Sequence, residues 1–129
     1  MKAARGFTLI EILVALTMFA VVGGALLQLF EGGLRASRQA ADYTHAVLLA
    51  RSKLTELLAY NDLTPGTIEG EFENGYRWQA VLSAIPTENP EREAWLHPLD
   101  LRLTIAWGEP GDEGSFDLQS ICLSQATLP

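Results

Sequence analysis

The chain has 129 residues, enough for one domain rather than two. Its formal net charge of −7 argues against a polyanionic partner such as nucleic acid. Cys122 is the single cysteine, which excludes an intramolecular disulfide and a cysteine-based metal site; it is expected to act as a small hydrophobe within a strand.

Lys2 and Arg5 form a basic tip. From Phe7 to Phe30 the chain then reads FTLIEILVALTMFAVVGGALLQLF, with Glu11 the one ionisable side chain. At about 1.5 Å per residue this run can cross a hydrocarbon core of about 30 Å, with the basic tip on the cytoplasmic side. It is too long for the core of a secretory signal peptide, which spans roughly 7–15 residues, and no A-x-A cleavage site is clearly placed at its end. A simple one-pass anchor explains everything except the carboxylate, which would cost about 2.5–3.5 kcal/mol at the bilayer centre.

Gly6-Phe7-Thr8-Leu9-Ile10-Glu11 followed by an apolar run resembles the prepilin signature shared by type IV pilins and type II secretion pseudopilins. The resemblance implies that a prepilin peptidase cuts between Gly6 and Phe7 and methylates the new amine of Phe7, so the apolar run stays in the mature protein. Cleavage would place a positive amine four residues from Glu11, about one helical turn away. In a low dielectric an unpaired carboxylate seeks a cation, and the family implies pairing of Glu11 with the N-terminal amine of a neighbouring subunit in the filament.

Beyond the apolar run, Ala36, Ala40, Tyr43, Val47, Ala50, Leu54 and Leu57 recur at alternating spacings of four and three, one stripe of a continuing helix. The helix is expected from Phe7 to Ala59, roughly 80 Å at 1.5 Å per residue, and to stop near Pro65-Gly66. The outer half of the stripe is expected to pack on the chain's own head and the inner half on other subunits. Gly23-Gly24 and Gly32-Gly33 admit two readings, close packing of helices or local melting. His45 is expected to face solvent.

Ile68 to Leu82 reads as a hairpin turning at Asn74-Gly75, a preferred two-residue turn. Thr87 to Pro98, with three prolines at or beside it, reads as a long surface loop containing an isolated His97. Leu99 to Trp107 alternates, with Leu99, Leu101, Leu103, Ile105 and Trp107 inward. Gly108 to Gly114 reads as a turn, and Phe116 to Leu123 as a final strand. Glu109, Asp112, Glu113 and Asp117 could offer oxygen ligands to calcium, but their spacing lacks an EF-hand pattern, so neither a metal nor another cofactor is expected. The expected fold class is α+β, a long N-terminal transmembrane helix with an antiparallel sheet packed on its outer half. The expected divisions are a leader at 1–6, a membrane and assembly half of the helix at 7–30, a periplasmic half at 31–60 and a sheet-bearing head at 61–129.

The helix end Ala50-Arg51-Ser52-Lys53-Leu54-Thr55-Glu56-Leu57, with Gly70-Glu71-Phe72 and Gly75-Tyr76-Arg77-Trp78, resembles the I-type minor pseudopilins of type II secretion. That resemblance implies a single-pass protein of the bacterial inner membrane with its head in the periplasm. It also implies J-type and K-type pseudopilins as partners in a tip complex that starts the pseudopilus, alongside the prepilin peptidase and the inner-membrane assembly platform. A minor pilin of a type IV pilus is the nearest alternative. A DNA-uptake pilin would need a basic stripe, which the acidic head lacks. An enzyme finds no nucleophile–base pair, phosphate loop or metal-spaced cluster.

Overall fold

The computed structural model describes residues 3–60, 62–86, 88 and 96–125. It contains one helix, α1 (Leu9–Ala59), and four strands, β1 (Gly66–Glu71), β2 (Arg77–Ala84), β3 (Leu96–Trp107) and β4 (Gly114–Gln125). This is the α+β, pilin-like class that the sequence implies. The chain divides into two units, Met1–Ala40 and Ala41–Pro129.

In the first unit the helix starts two residues later than expected, because Thr8 serves as its cap. The Thr8 hydroxyl accepts a hydrogen bond from the Glu11 N–H at 3.3 Å, and its carbonyl accepts from Glu11 and Ile12 at 3.1 and 3.3 Å. Threonine followed three residues later by glutamate is the capping-box pattern, and the acid also complements the positive end of the helix dipole. The helix then runs without interruption through all four glycines. A Cβ at any of them would meet nothing within 4 Å.

In the second unit the helix closes on a tight turn, with the Tyr60 N–H donating to the Leu57 carbonyl at 3.2 Å. The sheet is antiparallel in the order β1-β2-β3-β4, each strand beside its neighbours in the chain. Leu99, Leu101, Leu103 and Ile105 of β3 are fully buried, together with Ala80, Ala46 and Ala50, and Leu82 and Leu57 lie almost as deep. Each buried leucine or isoleucine contributes about 1.5–3 kcal/mol relative to an exposed one, and Ala46 and Ala50 are the helix residues most deeply buried in this core. Lys53 ties α1 to β2, with its Nζ 4.2 Å from the centre of the Trp78 ring and 3.0 Å from a Glu56 carboxylate oxygen. The cation–π contact is worth about 0.5–1 kcal/mol, and the ion pair, whose Glu56 partner is exposed, adds about 0–1 kcal/mol.

Two expectations about the sheet need correction. The β1–β2 turn is not a two-residue loop at Asn74-Gly75. The Phe72 carbonyl accepts from the Gly75 N–H at 3.3 Å, and the Phe72 N–H donates to the Tyr76 carbonyl at 2.7 Å, leaving Glu73-Asn74-Gly75 as a three-residue loop. Only Gly75 has positive φ, 76°, whereas a two-residue type I′ turn would need it at Asn74 as well. The placement buries Tyr76 and half-buries Phe72 against the core. The second correction concerns Pro98 and His97, expected in a loop but found in β3. The Pro98 carbonyl accepts from the Ile85 N–H at 3.0 Å, just past the end of β2. A residue's nitrogen and carbonyl point the same way in an antiparallel strand, so the proline nitrogen faces Ile85 rather than β4; it forgoes the return bond to Ile85, one step past the last β2–β3 pair, and costs nothing on the β4 side. Residues 87 and 89–95 of that expected loop lie outside the described residues.

Candidate assembly site

Glu11 sits at the third helical position, held there by the cap at Thr8. Phe7, Glu11, Ile12, Ala15, Leu16 and Phe19 line one open groove along the first turns. Among the described residues that line the groove Glu11 is the single charged one, and the other lining side chains are apolar. Phe7 at the helix start and Ile12 at its fourth position have the spacing of a hydrophobic staple. By length and composition the helix can cross a membrane, and its apolar portion has no buried residue. At Gly6 an added Cβ would meet nothing within 4 Å and the backbone is not left-handed. No packing within the described residues therefore asks for glycine there.

The stripe divides. Ala50 and Leu57 enter the core and Leu54 packs against it, while Ala36 and Ala40 are exposed. Val47 is half-buried. Tyr43 is exposed yet makes edge-on ring contacts with Phe116 at 5.4 Å and Trp107 at 6.4 Å. Ala46 and Leu49 also face the core. Sequence reasoning missed them because it traced a seam two positions wide, whereas a helix lying on a sheet buries a broader face. The helix also carries Leu48 and Leu58 exposed, at 64% and 43%. His45, expected to face solvent, is exposed but stacks on Tyr76 with ring centres 4.9 Å apart and planes 16° from parallel.

Tyr76 combines a hydrogen bond with two ring contacts. Its hydroxyl donates a long hydrogen bond, 3.5 Å, to an Asp42 carboxylate oxygen, and its ring lies 5.8 Å from that of Trp107. Burial pushes its hydroxyl pKa up, and the Asp42 charge and hydrogen bond push the same way. Cys122 is buried in β4 as expected, its thiol 3.7 Å from the Leu99 carbonyl, and burial raises its pKa too. A buried thiol held protonated is a poor nucleophile. Among the described residues no three His, Cys, Asp or Glu side chains gather as a metal site. The four acids proposed above as possible calcium ligands do not converge.

Residues 1–27 match the family described as the prokaryotic N-terminal methylation motif. A type II secretion system protein I from Xanthomonas campestris is 36% identical over 118 residues, covering 84% of this chain and 83% of the relative. A type II secretion system protein I from Pseudomonas aeruginosa is 41% identical over 109 residues, covering 83% of this chain and 78% of the relative. No solved structure matches the chain.

Proposed function

The chain belongs to the type II secretion system protein I family, and from that premise we propose that it is a minor pseudopilin that assembles through its N-terminal helix. In this reading it joins J-type and K-type pseudopilins in the tip complex that initiates the pseudopilus, and so supports export of folded proteins across the outer membrane. The prepilin peptidase cuts between Gly6 and Phe7 and methylates Phe7. The mature chain crosses the inner membrane once, engages the assembly platform there and holds its sheet-bearing head in the periplasm.

The observation that carries the reading is the groove around Glu11. A lone carboxylate, fixed by the helix cap among Phe7, Ile12, Ala15, Leu16 and Phe19, has no cation beside it in that groove among the described residues. A neighbouring subunit's Phe7 amine supplies the charge that such a carboxylate lacks in low dielectric. The open surroundings of Gly6 are consistent with a glycine read by the peptidase rather than needed by the chain's own packing. The exposed inner stripe, Ala36 and Ala40, together with Leu48 and Leu58, provides apolar surface for partners.

The methylation motif alone does not separate pseudopilins from the minor pilins of type IV pili; similarity over more than four-fifths of the chain favours type II secretion. The test is isolation of the full-length protein from its own detergent-solubilised membranes. Co-isolation with J-type and K-type pseudopilins is the expected outcome. Recovery with type IV pilus subunits instead would reject the assignment.

A further inference from the structure

We propose that the free edge of β4 is a docking edge, completed in the assembled state by an extended strand of a different pseudopilin. The inference rests on the reading that this chain assembles with other pseudopilins, and it adds where and by what chemistry a partner is held.

The sheet has two edges, β1 and β4, and they differ in kind. The β1 edge is six residues long and carries Glu69 and Glu71. Short length and charge are the usual means by which proteins discourage pairing at an edge. The β4 edge is twelve residues long. From Gln119 to Gln125 it reads QSICLSQ, without charge, proline or glycine. On its outer face Ile121 and Leu123 stand 69% and 62% exposed, opposite Asp100 and Pro98 of β3. Among the described residues β4 pairs with β3 alone. β4 does carry Asp117 near its start, and β1 exposes Ile68, but the stretch of β4 from Gln119 to Gln125 is the longer uncharged edge.

The chemistry of the open edge specifies its occupant. An edge strand presents a row of backbone N–H and C=O groups that repeats with the strand, and an added strand satisfies that row in register. Ile121 and Leu123 would be covered by apolar side chains on the same face of the incoming strand, at cross-strand and diagonal positions. A second copy is the poorer occupant. Residues 61–129 carry twelve acids against three arginines, a net charge of −9. Two such heads edge to edge repel within the screening length of about 8 Å at physiological salt, whereas a less acidic partner does not.

The test uses the full-length chain in its own membranes. Ile121→Lys with Leu123→Lys installs the guard residue that natural edges use, at two exposed positions, with resistance to limited proteolysis checking the fold. A photo-crosslinking residue at exposed Gln119 provides a second readout that leaves Ile121 and Leu123 intact. The expected results are at least a tenfold loss of co-isolated pseudopilins in the double variant, and a crosslink from position 119 to a strand of a different pseudopilin. Wild-type co-isolation by a folded double variant overturns the docking edge, as does a crosslink to a second copy only, and both leave the assembly reading standing. If the unaltered chain co-isolates no pseudopilin at all, both inferences fall together.

Discussion

Replacing Glu11 with glutamine separates the two roles that the structure gives this side chain. In the free subunit Glu11 occupies the third helical position behind the Thr8 cap. Glutamine also closes a capping box, so the variant loses only the attraction between a carboxylate and the helix dipole, about 0.3–1 kcal/mol. In the assembled state, removing one member of a low-dielectric ion pair costs about 3–5 kcal/mol. At about 1.4 kcal/mol per tenfold, incorporation should fall roughly 150-fold to several thousand-fold while membrane insertion is unchanged. Thr8→Val is the matched control. It removes the cap acceptor, worth about 1 kcal/mol, and keeps the charge, so it should assemble within roughly fivefold of wild type. The assay is the ratio of crosslinked to free subunit in membranes, with alkaline extraction to score insertion. Normal incorporation of Glu11→Gln, or an equal loss with Thr8→Val, would refute charge pairing and leave Glu11 as a helix-start residue.

Other outcomes follow from the same geometry. Gly6→Val should leave the leader attached without altering the fold, since a Cβ there meets open space; N-terminal sequencing that finds Phe7 first would reject the cleavage assignment. A Cβ at Gly70 would lie 2.7 Å from Trp78, and one at Gly114 would collide with the Trp107 ring. Gly70→Ala and Gly114→Ala should each destabilise the sheet-bearing unit by about 1–3 kcal/mol, read as a fall in thermal midpoint. Tyr76 has a folded-state pKa above its ordinary value of 10, so the folded chain holds its proton more tightly than the unfolded chain. That contribution is complete below pH 10 and is lost as pH rises through the folded value. Tyr76→Phe should therefore flatten the alkaline slope of stability in a denaturation series above pH 10.

The large elements were legible because each obeys one periodicity. The apolar run and the stripe ending at Leu57 forecast α1, and the alternation from Leu99 to Trp107 forecast the buried face of β3. Where two motifs share residues, the sequence misled. Asn74-Gly75 serves a two-residue loop or the end of a three-residue one, and the depth at which Phe72 and Tyr76 pack decides between them. Pro98 speaks against a strand until its neighbours are known, because only the end of β2 shows that the missing donor falls past the last β2–β3 pair. At the candidate site, charge and position drew attention to Glu11, but its part in starting the helix required the Thr8 bond to be seen. The threonine and glutamate spacing was present all along, masked by the stronger signal of an acid in an apolar run. The contrast between the two sheet edges was beyond reach until strand order was known.

Strand order has one more consequence, for how the sheet-bearing unit folds. Because each strand pairs with the one made just before it, every rung joins segments close in the chain, the kind of connectivity associated with fast folding. The polypeptide can zip up hairpin by hairpin as it emerges, with no early segment left waiting for a distant mate. The last strand to arrive is β4, so its outer rim opens to visitors only when the rest of the sheet is already built.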